Sequence, residues 1–236
     1  MSVALVTGGS AGLGRALVLA LAEGGWTVIA DGRDAERLRE VAGSAPRVVP
    51  VAGDVTDADH RRDLARAVAT AGRLDLLVHN ASTLGVRRGG RTLRPLAEAT
   101  PEDLQHVWRS NVGAPLALTA ALLSQLVRSR GVLLSVTSDA GVDHYPDWGL
   151  YGASKAALEH LTLTFAAENP EISAYAVDPG DLRTRMHQEA FPGEDISDRP
   201  LPAAVVPGLL ALVARRPMSG RYRAADFRRR TEPGAA

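Results

Sequence analysis

The sequence predicts an α/β fold, a doubly wound parallel sheet with helices on both faces. Two observations carry that expectation. Short apolar runs rich in β-branched residues alternate with longer segments of helical period, the pattern of a sheet covered on both sides. The first run, Val3 to Val6, passes directly into a glycine-rich turn, Gly8 to Gly14, and then into a helical repeat of Leu13, Leu17 and Leu21. That four-residue spacing marks one packed face.

Taken in order, strands are expected near 3–7, 26–30, 47–51, 75–79, 131–137 and 172–177, with a weaker one near 221–225. Helices are expected near 12–24, 34–42, 57–71, 101–128, 151–168 and 203–214. The glycine- and arginine-rich run 85–95 and the proline-rich run 190–202 read as long loops, and the tail from Arg228 as frayed. No repeat or linker divides the chain, so residues 1–236 read as one domain. Within it, the segment 112–127 is apolar nearly all round, through Val112, Leu116, Leu118, Leu122, Leu123, Leu126 and Val127. A sheet helix needs one apolar face, and no spare segment covers the other. A homo-oligomer, dimer or tetramer, is the expected cover, helped by the small residues Ala153, Ala156, Ala157, Ala166 and Ala167 of the helix near 151–168.

Composition narrows the function. Twenty-seven basic residues balance 27 acidic ones, so no overall field draws in nucleic acid or an anionic membrane, and neither is expected as a partner. There is no cysteine, hence no disulfide and no thiolate chemistry. No apolar stretch approaches the ~20 residues of a membrane helix, and the N-terminus opens on a strand pattern rather than a leader. A cytoplasmic protein is expected. The six histidines occur singly, without metal-ligand spacing, so no metal is expected. His144, His187 and Trp148 fall in segments that reach a substrate, though packing or solvation explains each as well. Lys155 is the only lysine among the 27 basic residues. A position that keeps lysine against such a bias is a candidate for chemistry that arginine cannot perform.

The turn after the first strand reads TGxxxGxG from Thr7 to Gly14. Glycines there let the backbone approach a pyrophosphate, whose charge sits at the positive helix N-terminus. Two other motifs overlap it. Gly8 to Gly12 also reads G-x-S-x-G, a nucleophile elbow through Ser10, but an elbow after the first strand has no earlier strand-helix unit to supply an oxyanion hole. Arg15 and Ala16 stand where a phosphate-binding P-loop requires lysine and serine or threonine.

Further on, the strand near 131–137 leads to Ser138, and 13 residues later Tyr151-Gly152-Ala153-Ser154-Lys155 opens a helix. Residues four apart share a helix face, so the Tyr151 hydroxyl and the Lys155 ammonium can share a site. A free tyrosine has a pKa of ~10 and is a poor base. Lowering it by ~3 units takes about 4 kcal/mol of preference for phenolate, which a close ammonium in a dry cleft can help to supply.

The ordered set TGxxxGxG, Asp54, His79-Asn80-Ala81-Ser82, Asn111, Ser138, Tyr151-x-x-x-Lys155 and Pro179-Gly180 closely resembles the short-chain dehydrogenase/reductase family, from Val3 to about Thr184. The resemblance implies a Rossmann-like fold and a nicotinamide-dependent oxidoreductase that moves a hydride between the cofactor and a small carbonyl or alcohol. It implies Tyr151 as general acid/base, with Ser138 bonding the substrate oxygen. Lys155 would lower the tyrosine pKa and hold the nicotinamide ribose, and Asn111 would anchor a water linking Lys155 to solvent. Gly8, Ser10, Gly12, Leu13 and Gly14 would cradle the pyrophosphate. Asp54 and Val55 would meet the adenine, Asn80 and Ala81 would pass the adenosine ribose, and Pro179, Gly180, Leu182 and Thr184 would flank the nicotinamide. His79 and Ser82 depart from the family's Asn-Asn-Ala-Gly. The segment 184–204, where resemblance fades, is the expected substrate loop.

The cofactor choice rests on Ala30-Asp31-Gly32-Arg33. An acid at this point bonds the ribose hydroxyl of NAD, whereas an arginine accommodates the 2′-phosphate of NADP. Asp31 and Arg33 pull opposite ways. Gly32 leaves room for phosphate, so NADP(H) is favoured while NAD(H) stays open; Ala11, where many NADP users place a second base, argues the other way. Two rivals remain beside the oxidoreductase: a non-catalytic dinucleotide sensor, and a serine hydrolase acting through Ser10.

Overall fold

The computed structural model describes residues 1–227, so the tail from Arg228 lies outside the described residues. Seven strands form one parallel sheet: β1 Val3–Val6, β2 Thr27–Gly32, β3 Val48–Ala52, β4 Leu76–His79, β5 Val132–Val136, β6 Ser173–Asp178 and β7 Gly220–Arg223. Their order is β3-β2-β1-β4-β5-β6-β7, a Rossmann-like arrangement. Every residue of β1, β4 and β5 is buried, as a parallel sheet covered on both faces demands. Side chains alternate between the faces. Ala4, Val6, Val78 and Leu134 pack with Leu17 and Leu21 of α1 (Gly12–Glu23) and Leu38 of α2 (Ala35–Ser44). Leu5, Ile29, Leu77 and Leu133 meet Leu64 and Val68 of α3 (Ala58–Ala71) on the other side.

That second layer is completed by a long helical run. It comprises α4 (Pro101–Trp108), a π-helical turn over Arg109–Gly113, and α5 (Ala114–Arg128). Thr100 and Asp103 close its start as a reciprocal capping box, satisfying two otherwise orphaned donors. The π turn interrupts the expected uninterrupted helix, and the added residue turns Asn111 fully inward, a device frequent at functional sites. The run Pro101–Arg128 has 28 residues, and an 18-residue window within it reaches a mean hydropathy of 1.3. By length and composition alone this run is long and apolar enough to cross a membrane, a test that the buried core helix of a globular fold also passes. Here Val107, Leu118, Leu122 and Leu126 are fully buried within the globular core.

Helix α6 (Gly149–Glu168) begins two residues before the expected start, so that Tyr151 lies inside its first turn. It approaches the short turn Asp139–Gly141 so closely that a Cβ on Gly152 would collide with the Ala140 carbonyl oxygen. A short helix, α7 (Arg185–Ala190), occupies the start of the segment read as the substrate loop, and α8 spans Val206–Arg215. The outer face of α5 is less apolar than its sequence suggests. Leu116 is exposed, whereas Leu123 and Val127 pack partly against the core. On α6, Ala166 is buried in the core rather than presented outward, because it falls on the sheet-facing side.

Candidate active site

The carboxyl ends of the strands open into one cleft of about 750 Å³, where the strand order reverses between β1 and β4. Its first wall is the glycine turn. Gly8 and Gly12 have φ of 68° and 54°, a region that disfavours side chains. Gly14 packs so tightly on the Gly8 carbonyl oxygen and the Asn80 amide that no Cβ fits. Asn80 donates through Nδ2 to the carbonyl oxygens of Thr7 (2.9 Å) and Gly8 (3.2 Å). The Thr7 hydroxyl accepts from the amides of Asn80 (3.0 Å) and Ala81 (3.1 Å). Asn80 thus ties β4 to the turn, and the unusual neighbours His79 and Ser82 leave that tie intact. Helix α1 starts without a side-chain cap and without an acid in its first turn. Its free amides and positive end, facing the cleft, suit a pyrophosphate.

At the far edge, Arg33 and Arg37 are exposed on the rim. Strand β2 continues two residues beyond the expected end, and this decides the competition between Asp31 and Arg33. Asp31 points to the α3 face, where its Oδ1 lies 2.6 Å from His60 Nε2 and its Oδ2 accepts from the Gly8 amide at 3.2 Å. It is 2% exposed and turned toward His60 rather than the rim. Gly32 is what faces the turn, and a Cβ on it would meet Ser10 Oγ at 2.8 Å. Asp54 accepts from the Thr56 amide at 2.8 Å. Burial would raise its pKa, but Thr56, Arg33 and His60 together hold it below the usual carboxylate range.

The opposite wall carries the proton-transfer candidates. Tyr151 is buried, and Lys155 is 2% exposed. The Lys155 Nζ donates to the Val136 carbonyl oxygen at 2.8 Å and lies 5.5 Å from the centre of the Tyr151 ring. Burial lowers the Lys155 pKa to about 7. Burial pushes the Tyr151 phenol well above its ordinary value, the Asp139 and Asp178 charges add to the rise, and hydrogen bonding with Ser138 and Ser82 offsets only part of it.

Ser138 donates to Asp139 Oδ1 at 2.9 Å and accepts from the Ala140 amide at 3.2 Å, while Arg221 of β7 donates to its carbonyl oxygen at 3.2 Å. Asn111 is wholly buried. Its Nδ2 donates to the Thr83 carbonyl oxygen and to Ser154 Oγ, both at 2.9 Å, and its Oδ1 accepts from the Thr83 amide (2.9 Å) and the Ser82 hydroxyl (3.1 Å). The expected water anchor therefore has its side chain fully engaged in joining the loop after β4 to α6. His79 pairs with Thr119 at 2.7 Å; burial, and then the Lys155 charge, hold its pKa at about 3, so it stays neutral.

Pro179, Gly180, Leu182 and Thr184 border the same cleft. Thr184 caps α7 by accepting from the His187 amide at 3.1 Å, and its methyl lies 3.6 Å from where a Gly12 Cβ would be. Trp148 packs edge-on to Tyr151 with centroids 5.7 Å apart, and against Phe191 at 5.9 Å. Of the loop candidates, Trp148 and His187 line the cleft, whereas His144 is exposed outside it. The sequence reading missed His60, Phe191 and Arg221. Strand alternation alone signalled His60, since Asp31 shares the inward face of Ile29.

A family model described as short chain dehydrogenase matches residues 2–195. The oxidoreductase YciK of Escherichia coli K12 is 35% identical over 221 residues, covering 89% of this chain and 85% of that protein. A short-chain dehydrogenase from Shigella flexneri, crystallised with NADP, superposes with a TM-score of 0.85 at 33% identity, covering 95% of this chain and 97% of its own. Another from Escherichia coli CFT073, crystallised with NADPH, gives a TM-score of 0.85 at 33% identity, with 94% and 96% covered. The chain belongs to the short-chain dehydrogenase family and is an oxidoreductase of that class, which sets aside a hydrolase built on Ser10.

Asn111→Ala should lower the unfolding free energy by about 2–3 kcal/mol, because it strands buried partners on both the Thr83 loop and Ser154. Denaturant unfolding of the purified variant measures it. An unchanged midpoint would mean that the side chain does not brace the site.

Proposed function

We propose that this protein reduces a carbonyl compound, or oxidises the matching alcohol, with NADP(H), and that Tyr151 moves the proton. The single observation that carries the reading is the burial of Tyr151 and Lys155 side by side in the cleft that the glycine turn opens. A nicotinamide dinucleotide, when bound, supplies or accepts the hydride. Gly8, Gly12, Leu13 and Gly14 suit its pyrophosphate, Ser10 stands beside the turn, Asp54 and Val55 border the adenine end, and Pro179 to Thr184 border the nicotinamide end.

Tyr151 holds its proton firmly when shielded from water, which suits donation to a carbonyl oxygen as negative charge develops there. Lys155 then faces the phenolate left behind, and its charge counts for more in a dry site than in water. Since its pKa is about 7, the ammonium, and with it this support, declines as pH rises past neutrality. For Ser138 to bond the substrate oxygen, its hydroxyl must rotate away from Asp139. Asn111 acts at one remove, by fixing α6 through Ser154. The segment 184–204 serves as the substrate loop, with Phe191 and Trp148 forming an apolar wall above Tyr151.

NADP(H) is favoured over NAD(H) because Asp31 is turned away, Gly32 presents no acid, and Arg33 offers a charge-assisted partner for a 2′-phosphate. The relatives crystallised with NADP and NADPH support the choice. A panel of carbonyls and alcohols with both cofactors, read at the absorbance of reduced nicotinamide, tests the function. Turnover is expected with NADPH, and Arg33→Ala should weaken NADPH binding about tenfold while leaving NADH binding nearly unchanged. Equal losses for both would refute the cofactor assignment, and no turnover with any carbonyl or alcohol would favour a sensor.

The exposed Leu104 and Leu116 of the α4–α5 run, with Ala153, Ala156 and Ala167 on the outside of α6, support a homo-oligomer built on these helices. Light scattering should give a dimer or tetramer at micromolar concentration; a monomeric mass would remove the proposal.

A further inference from the structure

Beneath the glycine turn lies a buried polar pair that none of the roles above employs. Asp31, at the end of β2, and His60, at the start of α3, are 2% and 6% exposed and meet at 2.6 Å. Asp31 grips the turn twice: its Oδ2 accepts from the Gly8 amide at 3.2 Å, and its carbonyl oxygen accepts from the Gly9 amide at 2.6 Å. The His60 ring is fixed from its other side, since it fills the space where a Cβ on Gly53 would have to go. Asp31 borders the cleft, whereas His60 does not. His60 therefore acts on the cleft from behind, chiefly through Asp31 and Gly8 and through its charge on Asp54.

A carboxylate beneath an anion-binding turn is electrostatically misplaced unless a cation cancels it. The acids that act on the imidazole come from every side: Asp31 from β2, Asp54 from the turn after β3, and Asp63 from the next turn of α3. Arg33 acts on Asp54, which leaves the imidazolium as the hydrogen-bonded cation on Asp31. We propose that His60 is a positioning residue of the cofactor site, whose protonated ring neutralises Asp31 under the glycine turn and so couples binding of the phosphate-bearing adenosine half to a proton on His60.

The proposal rests on the cofactor reading given above. Linkage sets its sign. The hydrogen bond from Asp31 raises the His60 pKa above its ordinary value, burial opposes this, and the charges of Asp31, Asp63 and Asp54 add to the rise. The stabilisation is thus complete below pH ~6.5 and is lost as pH rises through the raised value. By reciprocity, an anion that binds the protonated form more tightly must itself bind less tightly across the same window.

The test is calorimetric titration of the wild type, His60→Gln and the Asp31→Asn/His60→Gln double variant at pH 6.5 and 8.5, with melting temperatures in parallel. The probes are NADPH and adenosine 2′,5′-bisphosphate. The second carries only the adenosine end, so the titration of Lys155, on the far side of the cleft beyond β1 and β4, does not enter. Wild type should bind the bisphosphate several-fold more weakly at pH 8.5. His60→Gln should bind about tenfold more weakly than wild type at pH 6.5, the scale of one uncompensated charge, with little further loss at pH 8.5. The double variant, which removes the acid together with its counter-ion, should recover tight binding with the same flat profile. A wild-type pH profile retained in His60→Gln, with only the melting temperature lowered, would reduce His60 to a packing residue and overturn the proposal. Failure of the wild type to bind NADPH at either pH would instead overturn the cofactor reading on which it stands.

Discussion

A buried ammonium is among the costliest groups a folded protein can hold, and the arrangement around Lys155 answers that cost. Its Nζ has one hydrogen bond, to the Val136 carbonyl oxygen at the end of β5, and burial takes its pKa to about 7. To hold it there, α6 must lie close against β5 and the turn that follows it. That closeness depends on Gly152, which has no side chain to strike Ala140, and on Asn111, which bonds Ser154 from the π turn. The same constraint places Tyr151 beside Ser138. The position of α6, the placement of Tyr151 and the course of the turn after β5 are consequences of one packing problem.

Across the cleft, Asp31 presents a related problem of opposite charge. There too a polar group is buried under a functional loop, and it is met by a hydrogen-bonded partner rather than by solvent. The two walls differ in what they do with the cost. Around Lys155, desolvation is left largely uncompensated and tunes an ionisation into the neutral range. Around Asp31, His60 compensates it, leaving Gly32 and Arg33 at the rim. Uncompensated burial therefore marks the Lys155 wall, and paired charges mark the Asp31 wall.

Much of this was legible in the sequence. Strand and helix order followed from hydrophobic period, because β1, β4 and β5 are buried on both faces and so are written as largely apolar runs. The glycine turn, Tyr151 and Lys155 were readable because their chemistry depends on local spacing. What escaped depends on contacts between distant segments. Asp31 and Arg33 pulled opposite ways on paper, and only the extra length of β2 and the position of α3 put Asp31 2.6 Å from His60. The π turn that aims the Asn111 side chain at Thr83 and Ser154 has no signature in residue spacing. Ser138 and Asp139 are neighbours in the chain, yet their hydrogen bond depends on the turn conformation, which residue types alone do not define. Ala166 passed for an outward-facing small residue because the apolar face of α6 is too broad for periodicity to orient the helix.

The central claim is that Tyr151 transfers the proton with a lysine, and specifically a lysine, packed against it. The most direct measurement is the turnover of Lys155→Arg at saturating cofactor, with circular dichroism as the folding control and Tyr151→Phe as the reference for lost proton transfer. Arginine keeps the charge but replaces a compact ammonium with a planar, longer group that cannot occupy the pocket between Val136 and the tyrosine ring. A displacement of ~1 Å in such a site lowers turnover by about a hundredfold, and a folded variant with that loss is the predicted result. Near wild-type turnover in folded Lys155→Arg would contradict the account, since any surface cation would then serve as well.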